Sequence, residues 1–478
     1  MPAQVDWQLA KSRGRELDVT LRVDPFLDED YVDDADIEEV HAASSVRSSN
    51  AAYASNLQKV FAESPRIREL KVTLYHVAEW PDLVHEALND GRIWPRLTHL
   101  LLHNYDHWEE PATFDMVLPE VQVLHLDSIT AVDWTRLKLG PALSSLDIRD
   151  TLGFRELSTQ LPLCCSIRKM KLMDWTRAQD VLSFDALAFG AISFPQLEEL
   201  TIWWETIDEQ SLIRFLAACP NLRDLDVTIE NLAERDIVDD TDIPDYTLCL
   251  MGLSLSIIES GSRQDLFGPL ASKLSGEYLR ALTIDNLLLD ARNFLPFLFQ
   301  CRSTLKVMHF QYTHLTNIAR APRSGGEFPR LSKLKLDLQC EPASRFGDSN
   351  VTVPPGDIDL TTSLFLSILP PSPPARSMDV RISGAPLGDE YIRRLVAGIV
   401  GPGSIRLDVI YHDYGGRPPE HEIKISNGHP GKPFTCSFAT PDFAHGFRAI
   451  CMVSELRERI VRLSVDTARA PHVFLQLQ

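Results

Sequence analysis

Along most of this chain, apolar residues recur as apolar-x-x-apolar-x-apolar, with a proline usually two residues ahead of the first. The pattern stands at Ile67–Leu70–Val72, Leu97–Leu100–Leu102, Val121–Leu124–Leu126 and Leu143–Leu146–Ile148, behind Pro65, Pro95, Pro119 and Pro141. It continues at Ile167–Met170–Leu172, at Leu197–Leu200–Ile202 behind Pro195, and at Leu222–Leu225–Val227 behind Pro220. Further copies are Leu279–Leu282–Ile284, Leu305–Met308–Phe310, and Leu331–Leu334–Leu336 behind Pro329. Side chains at i and i+2 of a strand share a face, so the last two apolar residues of each copy point inward together. The residues between them point out. Helical spacing of apolar residues over Asp82–Leu88, Asp208–Ala218 and Ala291–Gln300 predicts helices between some of the strands.

The first apolar positions lie 30, 24, 22, 24, 30 and 25 residues apart, then 57, 26 and 26. Most of these steps sit at or near the ~20–29-residue period of leucine-rich repeats. The 57-residue step predicts one divergent repeat around Leu253–Ile258, and weaker copies are expected at Met378–Val380, Leu407–Val409 and Leu463–Val465. The expected fold is therefore α/β: an irregular leucine-rich-repeat solenoid with a concave parallel sheet and helices on the convex side. One such strand buries about three aliphatic side chains, worth roughly 1.5–3 kcal/mol each. Ordering a whole repeat costs on the order of 25–50 kcal/mol of backbone entropy, so stability must come from stacking neighbours.

The predicted organisation is an N-terminal cap over 1–60, repeats over 61–337, a Pro-rich loop over 338–376, and degenerate repeats or a cap over 377–478. The cap includes an acidic run, Asp24–Glu39, read as a solvated loop. Pro354–Pro355 and Pro370–Pro371 mark the later loop. A hairpin is expected over His421–Ala439 and a helix over Phe443–Arg459.

The repeats resemble the leucine-rich-repeat region of fungal F-box proteins. Trp7–Val23 adds to the resemblance: a Trp, a Ser12–Arg13 patch, then the Leu17-Asp18-Val19-Thr20-Leu21 strand look like the stretch joining an F-box to its first repeat. The F-box itself is not visible ahead of Trp7. The resemblance implies a protein partner held on the concave face, with the chain as the substrate-recognition part of an F-box-type ubiquitin ligase receptor. With an F-box preceding Met1, a Skp-type adaptor and a cullin would be further partners. The alternatives are a free-standing scaffold without ligase attachment, and an enzyme with a pocket in the C-terminal region.

The formal net charge of −20 argues against nucleic acid, whose phosphates need a clustered cationic surface, and disfavours anionic membranes. No signal peptide or apolar span is legible, and the eight scattered cysteines form no CxxC pair. They read as buried small hydrophobes in a reducing compartment, the adjacent Cys164–Cys165 among them, which places the chain in the cytoplasm or nucleus.

Candidate chemistry follows from the repeat register. The outermost outward column reads Thr73, His103, Asp127, Arg149, Met173, Trp203, Thr228 and Asp285; the middle one reads Lys71, Leu101, His125, Asp147, Lys171, Thr201, Asp226 and Thr283. Met173 and Trp203 are expected side by side on the exposed face as an anchor for a protein partner, with Lys171, Arg149, His103 and Leu101 around them. Cover from a neighbouring loop, or Trp204 turning inward, is the competing reading. His99, His103 and His107 have a metal-like helical spacing but lie on a strand, where His99 and His103 are about 13 Å apart. His103, His125 and Asp127 come closer, yet read as solvated surface residues. No metal, cofactor or catalytic set is expected, and the chain reads as a binding protein and not an enzyme.

Overall fold

The structure is a computed structural model. It describes residues 9–12, 15–23, 58–74, 88, 91–104, 114–128, 134, 136–149, 161, 165–173, 193–233, 246–258, 266–311, 313–317 and 328–337, and the strand backbones at 379–383, 405–412, 420–426, 434–438, 460–466 and 472–477. The predicted helices near 82–88 and 443–459 lie outside these residues, apart from the helical Leu88, as do the acidic run and the Pro-rich loop. The chain is α/β and divides into two compact units, Met1–Leu222 with Ala233–Pro244, and Arg223–Leu232 with Asp245–Gln478.

In the first unit, strands β1 (Leu17–Val23), β2 (Ile67–Leu74), β3 (His99–Asn104), β5 (Val123–Asp127), β7 (Ser145–Arg149), β8 (Lys169–Met173) and β9 (Glu199–Asp208) pair in that order. Every pairing is parallel. Two short strands, β4 (Val117–Leu118) and β6 (Lys138–Leu139), form a second small ladder. The inward positions of the repeats carry the core: Leu70, Val72, Leu100, Leu102, Leu124, Leu126, Leu146, Ile148, Met170, Leu172, Leu200 and Ile202 are all buried.

Several repeats enter their strands through the same turn. Leu97 N–H donates to Trp94 O at 3.3 Å, and Leu197 N–H to Phe194 O at 3.2 Å. Proline in the second place of such a turn presets φ. The residue before that proline drops into the core: Trp94, Leu118 and Phe194 are buried, and Phe194 packs edge-to-face on Phe215 at 5.7 Å. A further backbone bond links consecutive repeats just ahead of each strand, from Thr98 N to Arg68 O, Gln122 N to Thr98 O, Ser144 N to Gln122 O, Arg168 N to Ser144 O and Glu198 N to Arg168 O. The chain leaves β9 through the helix Glu209–Ala217, which buries Leu212, Ile213, Phe215 and Leu216. The predicted helix over Asp208–Ala218 is matched to within a residue at each end.

In the second unit, β10 (Asp224–Ala233), β11 (Gly252–Ile257), β12 (Ala281–Asp285), β14 (Val307–Gln311), β16 (Lys333–Asp337) and β17 (Asp379–Ser383) pair in parallel. Strand β11 is the divergent repeat that the 57-residue step implied. Strands β13 (Leu288–Asp290) and β15 (His314–Thr316) form a small parallel ladder of their own. The helix Ala291–Gln300 has the predicted bounds, and Asp290 caps it by accepting from Arg292 N at 2.9 Å. Phe267, Phe294, Phe297 and Phe310 meet edge-to-face at centroid distances of 5.2–5.6 Å, the geometry that the aromatic quadrupole favours.

The parallel order ends after β17. Strands β18 (Ile405–His412), β19 (Glu420–Ser426), β20 (Phe434–Phe438), β21 (Ile460–Asp466) and β22 (His472–Leu477) pair mainly antiparallel. The copies expected at Leu407–Val409 and Leu463–Val465 are strands, but β18 meets β19 and β22 antiparallel, and β21 meets β22 antiparallel. The hairpin expected over His421–Ala439 corresponds to the antiparallel pair β19–β20.

Candidate functional site

On the outward face of the first unit, the pairing register joins Thr73, His103, Asp127, Arg149, Met173 and Trp203 in one column. Lys71, Leu101, His125, Asp147, Lys171 and Thr201 form the next. Over these six strands both columns match the sequence reading; in the second unit Ser256 stands between Thr228 and Asp285, and Ser254 between Asp226 and Thr283, because β11 intervenes. Neighbouring strands of a sheet lie about 4.8 Å apart, close enough for polar side chains of adjacent repeats to bond.

They do so at the centre of the face. His125 Nδ1 lies 3.0 Å from Asp147 Oδ2, and its Nε2 lies 3.7 Å from Asp127 Oδ2. His103 Nδ1 stands 3.3 Å from that same Asp127 oxygen. Arg149 grips Asp147 with two bonds, Nε to Oδ1 at 3.0 Å and a terminal nitrogen to Oδ2 at 2.9 Å, while its other terminal nitrogen stands 3.7 Å from Asp127. Ser128, held at φ 55°, turns its hydroxyl to Asp127 Oδ1 at 3.2 Å and donates its N–H to Arg149 O at 2.9 Å.

Reading these histidines as solvated surface residues needs correction. The His103, His125 and Asp127 side chains keep only 28%, 19% and 12% of their exposure. Parallel register brings unlike charges from successive strands into contact, and that contact leaves the side chains only partly solvated.

The electrostatics follow from this geometry. Burial alone would lower His125, but its contacts with Asp127 and Asp147 outweigh burial and raise the imidazole to about 9. Burial would raise Asp147, yet the bonds from His125 and Arg149 prevail and hold it at about 2. For Asp127, too, burial is outweighed by His125, His103 and Arg149, and the carboxyl is lowered. His103 differs: burial dominates the attraction of Asp127, so its pKa falls. At neutral pH the cluster therefore holds two cations, two anions and one neutral imidazole.

Beside the cluster the structure places the remaining sequence-derived residues unevenly. Met173 and Trp203 are partners in the register, but Met173 retains 7% exposure and is buried, whereas the expectation put it on an exposed face. Trp203 is half-buried and Trp204 is buried, the inward turn that the competing reading named. Side chains on the outward face crowd one another at strand spacing, and a flexible Met fills such gaps. Leu101, Arg149 and Lys171 are half-buried on the same face. His99 shares this face of β3, while His107 lies outside the described residues.

The cysteines also divide. Cys219 and Cys301 are buried as expected, but Cys165 and Cys249 are exposed. Cys165 stands in the turn ahead of β8, where most of the repeats place proline, and it faces water. Burial raises the Cys219 thiol strongly and pushes Cys301 up to about 12.

The bonded network itself escaped the sequence reading, although both columns were correct over the first unit. The usable signal was the alternation of His and Asp between neighbouring positions of the two columns. Among the described residues, no helix is long and apolar enough to cross a membrane. No known protein-family profile matches the chain, and no curated protein matches it.

Proposed function

We propose that this chain is a protein-binding repeat protein and not an enzyme, with the ladder of each unit built as a leucine-rich-repeat array. The observation that carries this reading is the outward face of the first unit. There Leu101, Arg149, Lys171 and Trp203 form a half-buried surface of unlike side chains on successive parallel strands. Such a surface, fixed by backbone register and variable in side chain, suits recognition of another protein. Trp and Arg are the residues that most often dominate interface energetics. By resemblance, the partner is a substrate for ubiquitylation and the chain is the recognition part of an F-box-type receptor in the cytoplasm or nucleus.

The test is purification of the full chain from its native cells by a C-terminal tag, followed by mass spectrometry. Wild type is compared with Lys171→Glu/Trp203→Ala and with Arg302→Glu, which alters an exposed residue of the second unit. A partner lost only from the Lys171/Trp203 variant supports the binding face. Identical partner sets for all three would overturn it. A co-purifying Skp-type adaptor and cullin support the ligase reading, whereas their absence leaves a scaffold.

A further inference from the structure

We propose that His103, His125 and Asp127 form a site for one divalent transition-metal ion of the zinc class on the outward face of the first unit. The site is independent of which protein that face binds.

The first argument is distance. One ligand atom from each of the three residues lies within 4.8 Å of the other two. Zinc bonds of about 2.0–2.1 Å place the ligand atoms of a tetrahedral site about 3.3 Å apart. Two edges of that figure already stand at 3.3 Å, from His103 Nδ1 to Asp127 Oδ2, and 3.7 Å, from His125 Nε2 to the same oxygen. The third edge needs only side-chain torsion, because the strand register already aligns the residues.

The second argument is the support behind the ligands. A metal-binding imidazole usually donates its far N–H to a carboxylate, which fixes the tautomer and aims the other nitrogen. His125 takes this arrangement when the metal displaces its Nε2 proton: Nδ1 keeps its contact with Asp147 at 3.0 Å, and Nε2 faces Asp127. Asp147 is in turn clamped by two bonds from Arg149. Ser128 holds the other oxygen of Asp127, leaving Oδ2 toward the two histidines.

The third argument is donor chemistry. Two imidazoles and one carboxylate suit zinc and its first-row neighbours, whereas calcium and magnesium prefer all-oxygen sets. The competing cation is Arg149, whose terminal nitrogen lies 3.7 Å from Asp127 Oδ2. It is already engaged by Asp147, and a directly coordinated divalent ion places more charge at closer range. Three protein ligands leave a fourth position on a tetrahedral ion, open to water or to a donor from a bound partner.

The experiment is calorimetric titration of zinc chloride into the chelator-stripped full chain, with cobalt(II) absorption as a second readout. Wild type should take up one ion per chain and give a cobalt spectrum of tetrahedral type. His125→Gln and Asp127→Asn should each weaken zinc binding more than about tenfold, and Asp147→Asn by about 10–100-fold through the second shell. His99→Gln, on the same face of β3, should leave binding unchanged. Should His125→Gln fail to fold by circular dichroism, the wild-type cobalt spectrum and its loss in His103→Gln decide the matter. No zinc uptake by wild type, or unchanged affinity in folded His125→Gln or His103→Gln, overturns the site.

Discussion

Asp147 on β7 accepts from His125 on β5 across 3.0 Å, and the same carboxylate takes two bonds from Arg149 two residues along its own strand. One side chain thus ties two repeats together on the face opposite the core. Deleting it leaves two partly buried cations without their shared anion, a loss that costs more than the bonds themselves. Asp147→Ala should therefore destabilise the first unit by about 1–3 kcal/mol in urea denaturation of the metal-free chain. A double-mutant cycle with His125→Ala should return a coupling of about 0.5–3 kcal/mol. Strict additivity of the two substitutions would show that the contact contributes nothing beyond its parts.

Core positions follow a different rule. Leu200 is buried near the start of β9, between Leu197 and Ile202 of its own repeat. Leu200→Ala should cost about 2–5 kcal/mol, and Leu200→Asp more, since no partner for a carboxylate is available in an aliphatic layer. Melting followed by circular dichroism should show Leu200→Asp unfolding well below wild type. An unchanged melt would contradict the inward assignment on which the register rests.

Two glycines give a paired test of backbone packing. A Cβ on Gly140 would meet the backbone oxygen of Pro119 at 2.0 Å, and the small ladder fixes both segments through the bond from Gly140 N to Leu118 O at 3.0 Å. On Gly252 the obstacle is a carboxylate oxygen of Asp224 at 2.4 Å, the movable end of a side chain. Gly140→Ala should thus destabilise by about 1–3 kcal/mol, the usual range for overpacking, and Gly252→Ala by clearly less. Equal effects in thermal denaturation would refute the distinction between backbone and side-chain obstruction.

Much of this fold is legible in the sequence because a parallel ladder leaves two plain signals. Inward residues such as Leu100 and Leu102 alternate with polar ones, and the Pro before most copies marks the entry turn. The gap in repeat spacing also located β11 inside the 57-residue step, and helical spacing of apolar residues located the helix Ala291–Gln300. The residue before the proline was equally readable, since Trp94, Leu118 and Phe194 are all large and apolar, but alternation alone does not weigh it. The site was harder. Column membership follows from register, whereas burial of Met173 and the contacts of His103 and His125 with Asp127 and Asp147 depend on how neighbouring rows close over one another. Past β17 the apolar alternation continues in the sequence while strand direction reverses, because period-two alternation is identical in parallel and antiparallel strands.

The cysteines predict a sharp contrast in reactivity. The nucleophile is the thiolate, and burial raises the thiols of Cys219 and Cys301, whose sulfurs instead donate to carbonyls of Phe215 and Phe297. Cys165 and Cys249 face water. Brief alkylation of the native chain at pH 8, followed by peptide mapping, should label Cys165 and Cys249 while sparing Cys219 and Cys301. Comparable labelling of all four would mean that the helix-packed thiols are open to solvent.

The cap on the helix Ala291–Gln300 carries the clearest pH dependence away from the histidine cluster. Asp290 accepts from Arg292 N and from the Arg292 guanidinium, and Asn317 Nδ2 adds a bond at 3.1 Å. The guanidinium bond is the leading cause that holds the carboxyl at about 2, below its ordinary 3.8. A depressed folded-state value means that the contribution is complete above about pH 4 and is lost as pH falls through 2. Asparagine caps helices as well as aspartate does, so Asp290→Asn removes the charge while keeping the cap. The melting temperature of Asp290→Asn should fall below that of wild type at pH 6 and low salt, and the gap should narrow from pH 4 to pH 2 as wild-type Asp290 protonates. High salt should also narrow it, because an exposed guanidinium is screened. A gap that stays constant from pH 6 to pH 2 would show that the lost charge is not what the substitution removes, and would assign the stabilisation to the neutral hydrogen bonds alone.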